Sequence, residues 1–213
     1  MAFGSGVLIS ALSFELMENA FRKGGFDSTS IGFLSGAAVF TAANIFISQR
    51  GASHRKRSGR NADARPAGTD AGMGIALGAL LDGIPESIVI GVSMIAGGAV
   101  SWVAVIAIFL SNVPEGLSSS AGMKKAGHSA AYVFGLWTGI ALISKLSSLI
   151  GYAVFSGFSP EVIAATEAVA AGAILAMIAD TMIPEAFEVA HDFAGLITVC
   201  GFLASFLLSK LGE

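Results

Sequence analysis

The hydrophobic positions of this chain form long runs, and strict alternation of apolar and polar residues is absent. A helix that crosses a bilayer needs about 20 mostly apolar residues, whereas a membrane β-strand alternates with period two. The pattern therefore predicts an all-α fold, a polytopic membrane helix bundle forming a single transmembrane domain over 1–213. Seven spans are predicted, at 3–21, 30–48, 71–97, 99–122, 130–156, 161–189 and 192–211.

Composition agrees with this prediction. Hydrophobic residues make up 54% of the chain and charged residues only 13%, with a mean hydropathy of +0.76, whereas a soluble domain carries about 25% charged residues. The 27 glycines favour close approach of helices. The net charge of −3 without a basic stripe argues against a nucleic-acid partner. Cys200 is the single cysteine, which excludes an intramolecular disulfide.

One long polar segment, 49–70, interrupts the apolar runs. Arg50 to Arg65 holds half of the 12 Lys and Arg residues, among Gly, Ser and Ala that offer no packing surface. We expect a flexible basic loop on the cytoplasmic side, because basic loops stay inside. A multi-pass protein of the cell membrane with a cytoplasmic N-terminus follows from this orientation. Arg22 and Lys23, in a predicted external loop, depart from the rule.

A Pro-Glu pair follows a polar residue in three of the predicted spans. Residues four apart lie on one helical face, so Asp82 shares a face with Glu86, and Ser111 shares one with Glu115. The three copies are Asp82-Gly83-Ile84-Pro85-Glu86, Ser111-Asn112-Val113-Pro114-Glu115 and Asp180-Thr181-Met182-Ile183-Pro184-Glu185.

These motifs suit a cation pathway. A charged group at the bilayer centre costs at least about 2.5–3.5 kcal/mol, so the acids should face the bundle interior. If the first two motifs meet, they enclose carboxylate, hydroxyl and amide oxygens, which are ligands for a divalent cation. Pro85 and Pro114 each leave a backbone carbonyl without its helical donor, and this favours a kink beside a polar opening.

At these residues the chain resembles the ZIP family of divalent metal transporters. The motif around Pro85-Glu86 looks like the family's His-Asn-x-Pro-Glu-Gly pattern, and the motif around Pro114-Glu115 looks like its related His-x-x-Pro pattern. The resemblance implies transport of a divalent metal into the cytoplasm. It also implies eight spans, so the family's first helix is expected to be missing before Met1. The implied metal ligands are Asp82, Glu86, Ser111, Asn112 and Glu115.

The departures from the family concern the metal. Asp82 stands where the family usually has His, so the expected site is all-oxygen. Zinc is the expected ion, with manganese, iron or cadmium as alternatives. Lys145 stands where the family often has a Glu-Pro pair. It either compensates charge in place of a second metal, or it snorkels or pairs with a carboxylate such as Glu167. Glu167, Asp180 and Glu185 are candidate pathway residues.

Other functions remain open at this stage. Paired carboxylates also serve intramembrane hydrolases, although no protease motif surrounds these. A metal-sensing or scaffold membrane protein without flux is a third reading. The leading prediction has no catalytic residue, enzyme activity or resident cofactor. Its expected partners are the metal ion and the lipid bilayer, and a homodimer is a further option.

Overall fold

The computed structural model describes residues 1–47, 69–97, 102–125 and 127–211, and these ranges are almost entirely helical, without a strand. A π-helical turn at Leu12–Met17 joins the helices Ala2–Ala11 and Glu18–Ile47, and another at Ile178–Met182 joins the helices Pro160–Met177 and Ile183–Ala190. The predicted basic loop lies outside the described residues, except for Thr69 and Asp70, which begin α3. The helices are α1 Ala2–Ala11, α2 Glu18–Ile47, α3 Thr69–Gly97, α4 Trp102–Lys125, α5 Ala130–Phe155, α6 Pro160–Met177, α7 Ile183–Ala190 and α8 Ala194–Leu211.

Four helical stretches are long and apolar enough to cross a membrane: Ala2–Phe46, Gly78–Ile95, Ala130–Phe155 and Pro160–Leu211. The first has 45 residues and the last has 52, about twice the length that one span needs. Each of these two contains a backbone break. The all-helical architecture with several possible membrane spans is therefore confirmed, and the count of seven stays a prediction.

The first break is at Gly25, whose φ of 70° places it in the left-handed region that glycine tolerates. In one straight helix Leu12 and Phe40 would be about 42 Å apart, at 1.5 Å per residue. They instead belong to one buried cluster. The chain thus folds back at Gly25 into an antiparallel hairpin. The sequence predicted a loop from 21 to 30, and this loop was too long. The residues on both sides of Gly25 are helical, because a single left-handed glycine is enough to reverse the chain.

The second break is at His191, the one non-glycine residue with positive φ in the described ranges (φ 45°). A single 3₁₀ turn, His191–Phe193, then leads into α8. Met182, before this break, lies near Gly4, while Thr198, after it, lies near Gly6. The chain therefore reverses between α7 and α8, which run antiparallel to each other.

Glycines bring the helices together in parallel pairs. A Cβ on Gly36 would overlap the Val169 carbonyl oxygen, and one on Gly172 would overlap that of Phe33, so α2 and α6 touch backbone to backbone. A Cβ on Gly6 would likewise overlap the Thr198 carbonyl in the α1–α8 pair. Such contact requires residues without side chains, and it is the usual basis of helix association in membranes.

The third pair, α3 and α5, positions the helix that carries the first Pro-Glu motif. Gly91 is in backbone contact with Ser148, and a Cβ on Gly151 would lie 3.2 Å from the Ile88 carbonyl oxygen. α4 packs chiefly against α1, where a Cβ on Gly4 would lie 2.9 Å from the Ser111 Cα. The two motif helices are therefore held by different partners.

We predict that Gly36→Ala destabilises the protein by about 1–3 kcal/mol, because the added methyl forces α2 away from α6. Gly139→Ala is the matched control, since a Cβ there meets no atom within 4 Å. At a helix position with open space beside it, alanine is more stable than glycine by up to about 1 kcal/mol. Thermal unfolding in detergent measures both variants. Equal melting temperatures would contradict the close-packing assignment.

Candidate metal site

The first two Pro-Glu motifs meet through one hydrogen bond. The Asn112 amide nitrogen on α4 donates to Glu86 Oε2 on α3 at 3.0 Å. Glu86 is only 1% exposed, although it is a carboxylate among apolar helices. Sequence analysis made the meeting of these motifs the condition for a site, and this hydrogen bond joins them. Because Asn112 binds through its nitrogen, its carbonyl oxygen remains the atom that could ligate a metal.

Two further predicted ligands, Asp82 and Ser111, are also buried. Asp82 is 5% exposed and lies one helical turn before Glu86 on the same face of α3. Ser111 is 1% exposed, and its hydroxyl donates to the Ile108 carbonyl at 2.9 Å. The hydroxyl oxygen keeps lone pairs after this donation. Ser111 packs against Gly4 of α1, so the contact that joins the two motifs is the one between Asn112 and Glu86.

Glu115 belongs to α4, but its side chain lies outside the described residues. Its prediction as a ligand is therefore untested. Among the side chains that are described, no three His, Cys, Asp or Glu residues form a metal-binding group. The part of the site that can be seen holds two carboxylates, Asp82 and Glu86.

The motif prolines lie within continuous helices. α3 runs through Pro85, and α4 runs through Pro114. The Ser87 hydroxyl donates to the Gly83 carbonyl at 2.6 Å, which satisfies one carbonyl just before the proline. Proline cannot supply a helical donor to the Leu81 carbonyl. Polar backbone therefore lies beside Asp82 and Glu86.

An apolar layer lies next to the site, toward the Gly25 end of the bundle. It surrounds a cavity of about 20 Å³, room for about one water molecule. The cavity has no polar lining, so a water there would lack hydrogen-bond partners. Four helices and the first π-helical turn supply the layer, through Leu8, Ala11, Leu12, Leu16, Val89, Ala104, Ala107, Ile108 and Ile174.

A wider groove of about 660 Å³ runs between α2, α3 and α6. Ser28 and Glu161 line it near the Gly25 end, and Pro85 lines it at depth. The groove thus approaches the residue immediately before Glu86. Between these ends its walls are mainly apolar, with Val162, Val169 and Ala173 among them.

Lys145 lies on the exposed side of α5. The neighbouring Ser144 is the residue that faces α3, since a Cβ on Gly83 would lie 3.4 Å from its hydroxyl oxygen. The role of Lys145 in charge compensation stays a prediction. The alternative pairing with Glu167 was wrong, because the Glu167 Oε1 accepts from the Nζ of Lys23 at 2.9 Å.

The remaining pathway candidates do not join Glu86. Glu167 is 4% exposed and precedes Ile174 of the apolar layer by seven positions, about 10 Å along α6. Asp180 is exposed within the second π-helical turn, and Glu185 is partly buried on α7. The sequence reasoning assigned Lys23 to an external loop and missed its role. The signal was a lysine directly before Gly24-Gly25, where a tight turn could aim it inward.

No protein-family model matches the chain, and a search of curated proteins finds no significant relative. The structure and the motifs must therefore carry the functional argument.

We predict that Asn112→Ala destabilises the protein by about 1–3 kcal/mol, because buried Glu86 loses a hydrogen-bond donor. The partly buried Asn19 provides the matched control, Asn19→Ala. Both variants gain alanine's helix propensity, so their difference isolates the contact. Thermal unfolding measures it, and the same melting temperature in both variants would refute the assignment.

Proposed function

We propose that this chain is a multi-pass membrane transporter for a divalent metal cation, of the kind that the ZIP family represents. The observation that carries the proposal is the hydrogen bond from Asn112 to buried Glu86, which joins the two helices whose motifs resemble that family. Burying a carboxylate is costly, and membrane helices keep such groups mainly for function. Asp82, one helical turn before Glu86, and Ser111, next to Asn112 in the chain, are buried and are the further oxygen donors of the proposed site.

The substrate in this proposal is zinc, with manganese or iron as alternatives. Its ligands are Asp82, Glu86, Ser111, Asn112 and Glu115. An oxygen-only set binds hard divalent ions and discriminates less sharply for zinc than a set with imidazole. Alternating access moves the ion past the apolar layer, which blocks direct passage between the Gly25 end and the site. Lipid surrounds the helices, and the driving force is an ion gradient.

In the proposed topology seven spans cross the cell membrane, with the N-terminus and the 49–70 segment in the cytoplasm. The reversals at Gly25 and His191 support this arrangement, because each divides a stretch too long for one span. The Gly25 end of the bundle is then external. The Glu86–Asn112 contact lies between the two ends.

We predict that cysteines introduced at Ser58 and Ser159 label on opposite sides of the membrane. In a Cys200→Ala background, an impermeant maleimide added to intact cells should label position 159 and leave position 58 unlabelled. Permeabilised cells provide the control, in which both label. Labelling of both positions in intact cells would contradict the proposed topology.

Uptake by proteoliposomes tests the function directly, with zinc, manganese, iron and cadmium as substrates. We predict that Glu86→Gln lowers kcat/KM at least about tenfold, equal to about 1.4 kcal/mol, since one charged ligand is lost. Asp82→Asn should act in the same direction. Glu18→Gln is the control, because Glu18 is exposed.

Folding is checked on the same samples by thermal unfolding. Absence of flux for every ion in the wild-type protein would overturn the transporter proposal and favour a metal-sensing or scaffold role. Flux that persists unchanged in Glu86→Gln would remove Glu86 from the site.

A further inference from the structure

The ion pair between Lys23 and Glu167 lies apart from the Glu86 site. Lys23 Nζ is 2.9 Å from Glu167 Oε1, and the two side chains are 25% and 5% exposed. The pair joins the turn of the first hairpin to α6. A buried carboxylate needs compensation, and the lysine provides it here.

The pair lies at a depth between the Gly25 end and the apolar layer. Glu167 follows the first residue of α6, Pro160, by seven positions, so it lies about 10 Å along the helix. Ile174, one of the residues of the apolar layer, is seven positions further along. Glu167 therefore stands between the Gly25 end and the apolar layer.

Only one oxygen of this carboxylate is used by the lysine. Within the described part of the chain, Glu167 Oε2 is buried and has no hydrogen-bond partner. A carboxylate coordinates metal ions readily through both oxygens. The unused, buried oxygen is a feature that a purely structural ion pair does not require.

Lys23 can leave the pair when a cation takes over the compensation of Glu167. A quarter of its side chain is exposed, and its long stem allows the ammonium to move toward water. It immediately precedes Gly24 and Gly25, where the backbone reverses. Departure of the ammonium leaves a negative charge on the route of an entering cation.

We propose that Glu167 is an entry site for a divalent cation, and that Lys23 is a tethered ammonium that fills it until the cation displaces it. As a step in uptake, the proposal rests on the proposed transport function. As a binding site, it is independent of flux. Water completes the coordination of the incoming ion.

The first experiment measures thermal unfolding of the full-length protein in detergent, with and without MnCl₂. Lys23→Met should lower the melting temperature, because Glu167 loses its counter-ion. Mn²⁺ should restore at least half of that loss, since a ligand that binds the folded state stabilises it. In the double variant Lys23→Met/Glu167→Gln, the Mn²⁺-dependent increase should return to the wild-type value.

Sodium chloride at matched ionic strength controls for screening. A Mn²⁺ response of Lys23→Met no larger than that of the wild type would overturn the entry site and leave a structural ion pair. Each variant also carries Glu86, so a contribution from the Glu86 site cancels in the comparison.

The second experiment exchanges the charges. Lys23→Glu/Glu167→Lys preserves the ion pair but removes the carboxylate from α6. The proposal expects near-wild-type thermal stability with an apparent KM for Mn²⁺ raised at least tenfold. Wild-type stability together with wild-type KM would overturn it.

The flux and thermal-unfolding measurements distinguish the Glu167 cation site from the transport proposal. If wild-type protein shows no flux but Mn²⁺ rescues Lys23→Met, the cation site stands and transport fails. If flux is present and Mn²⁺ gives no rescue, transport stands and the Glu167 site fails.

Discussion

Carboxylates buried among apolar helices place the strongest constraint on this structure. Asp82, Glu86 and Glu167 are each at most 5% exposed, in a chain with few charged residues. An isolated charge in such surroundings would cost more than the marginal stability of most proteins. Each acid therefore depends on polar groups brought to it by other parts of the fold. The Asn112 amide on α4 donates a hydrogen bond to Glu86 on α3, and the Lys23 ammonium of the first hairpin donates one to Glu167 on α6.

Close helix packing fixes the positions of the side chains that compensate the buried acids. A hydrogen bond of 3.0 Å between side chains on different helices tolerates little relative movement of their backbones. The glycine contacts fix those backbones, with Gly91 holding α3 against α5 and Gly4 holding α4 against α1. Small residues thus do more than allow association. They set the distance at which Asn112 can reach Glu86.

Glu86 and Glu167 have different environments. Glu86 accepts a hydrogen bond from the neutral amide of Asn112, and Asp82 lies one helical turn before it on α3. Glu167 meets an ammonium, which already supplies the positive charge. The apolar layer lies between Glu86 and Glu167, and charges across such a layer are screened less than they would be in water.

Much of the fold could be predicted from the sequence, because membrane helices need long apolar runs and internal hydrogen bonding. The first two motifs indicated a site on the condition that their helices meet, and the Asn112–Glu86 hydrogen bond joins those helices. The acid of the third motif is not buried, because Asp180 lies exposed in a π-helical turn. Packing against neighbouring helices, rather than the motif itself, decides which face of a helix is buried. Lys145 shows the same limit, because Ser144 occupies the face that meets α3.

The sequence by itself determined the helical class, the apolar segments and the acids that had to be compensated, since these follow from local hydrophobicity and the cost of charge. Only the tertiary structure decided which partners compensate them. Lys23 reaches Glu167 across 144 positions of sequence because Gly25 reverses the chain in a single residue and glycine contacts lay α2 along α6. The packing of distant helices determines such pairings, and no local pattern encodes it.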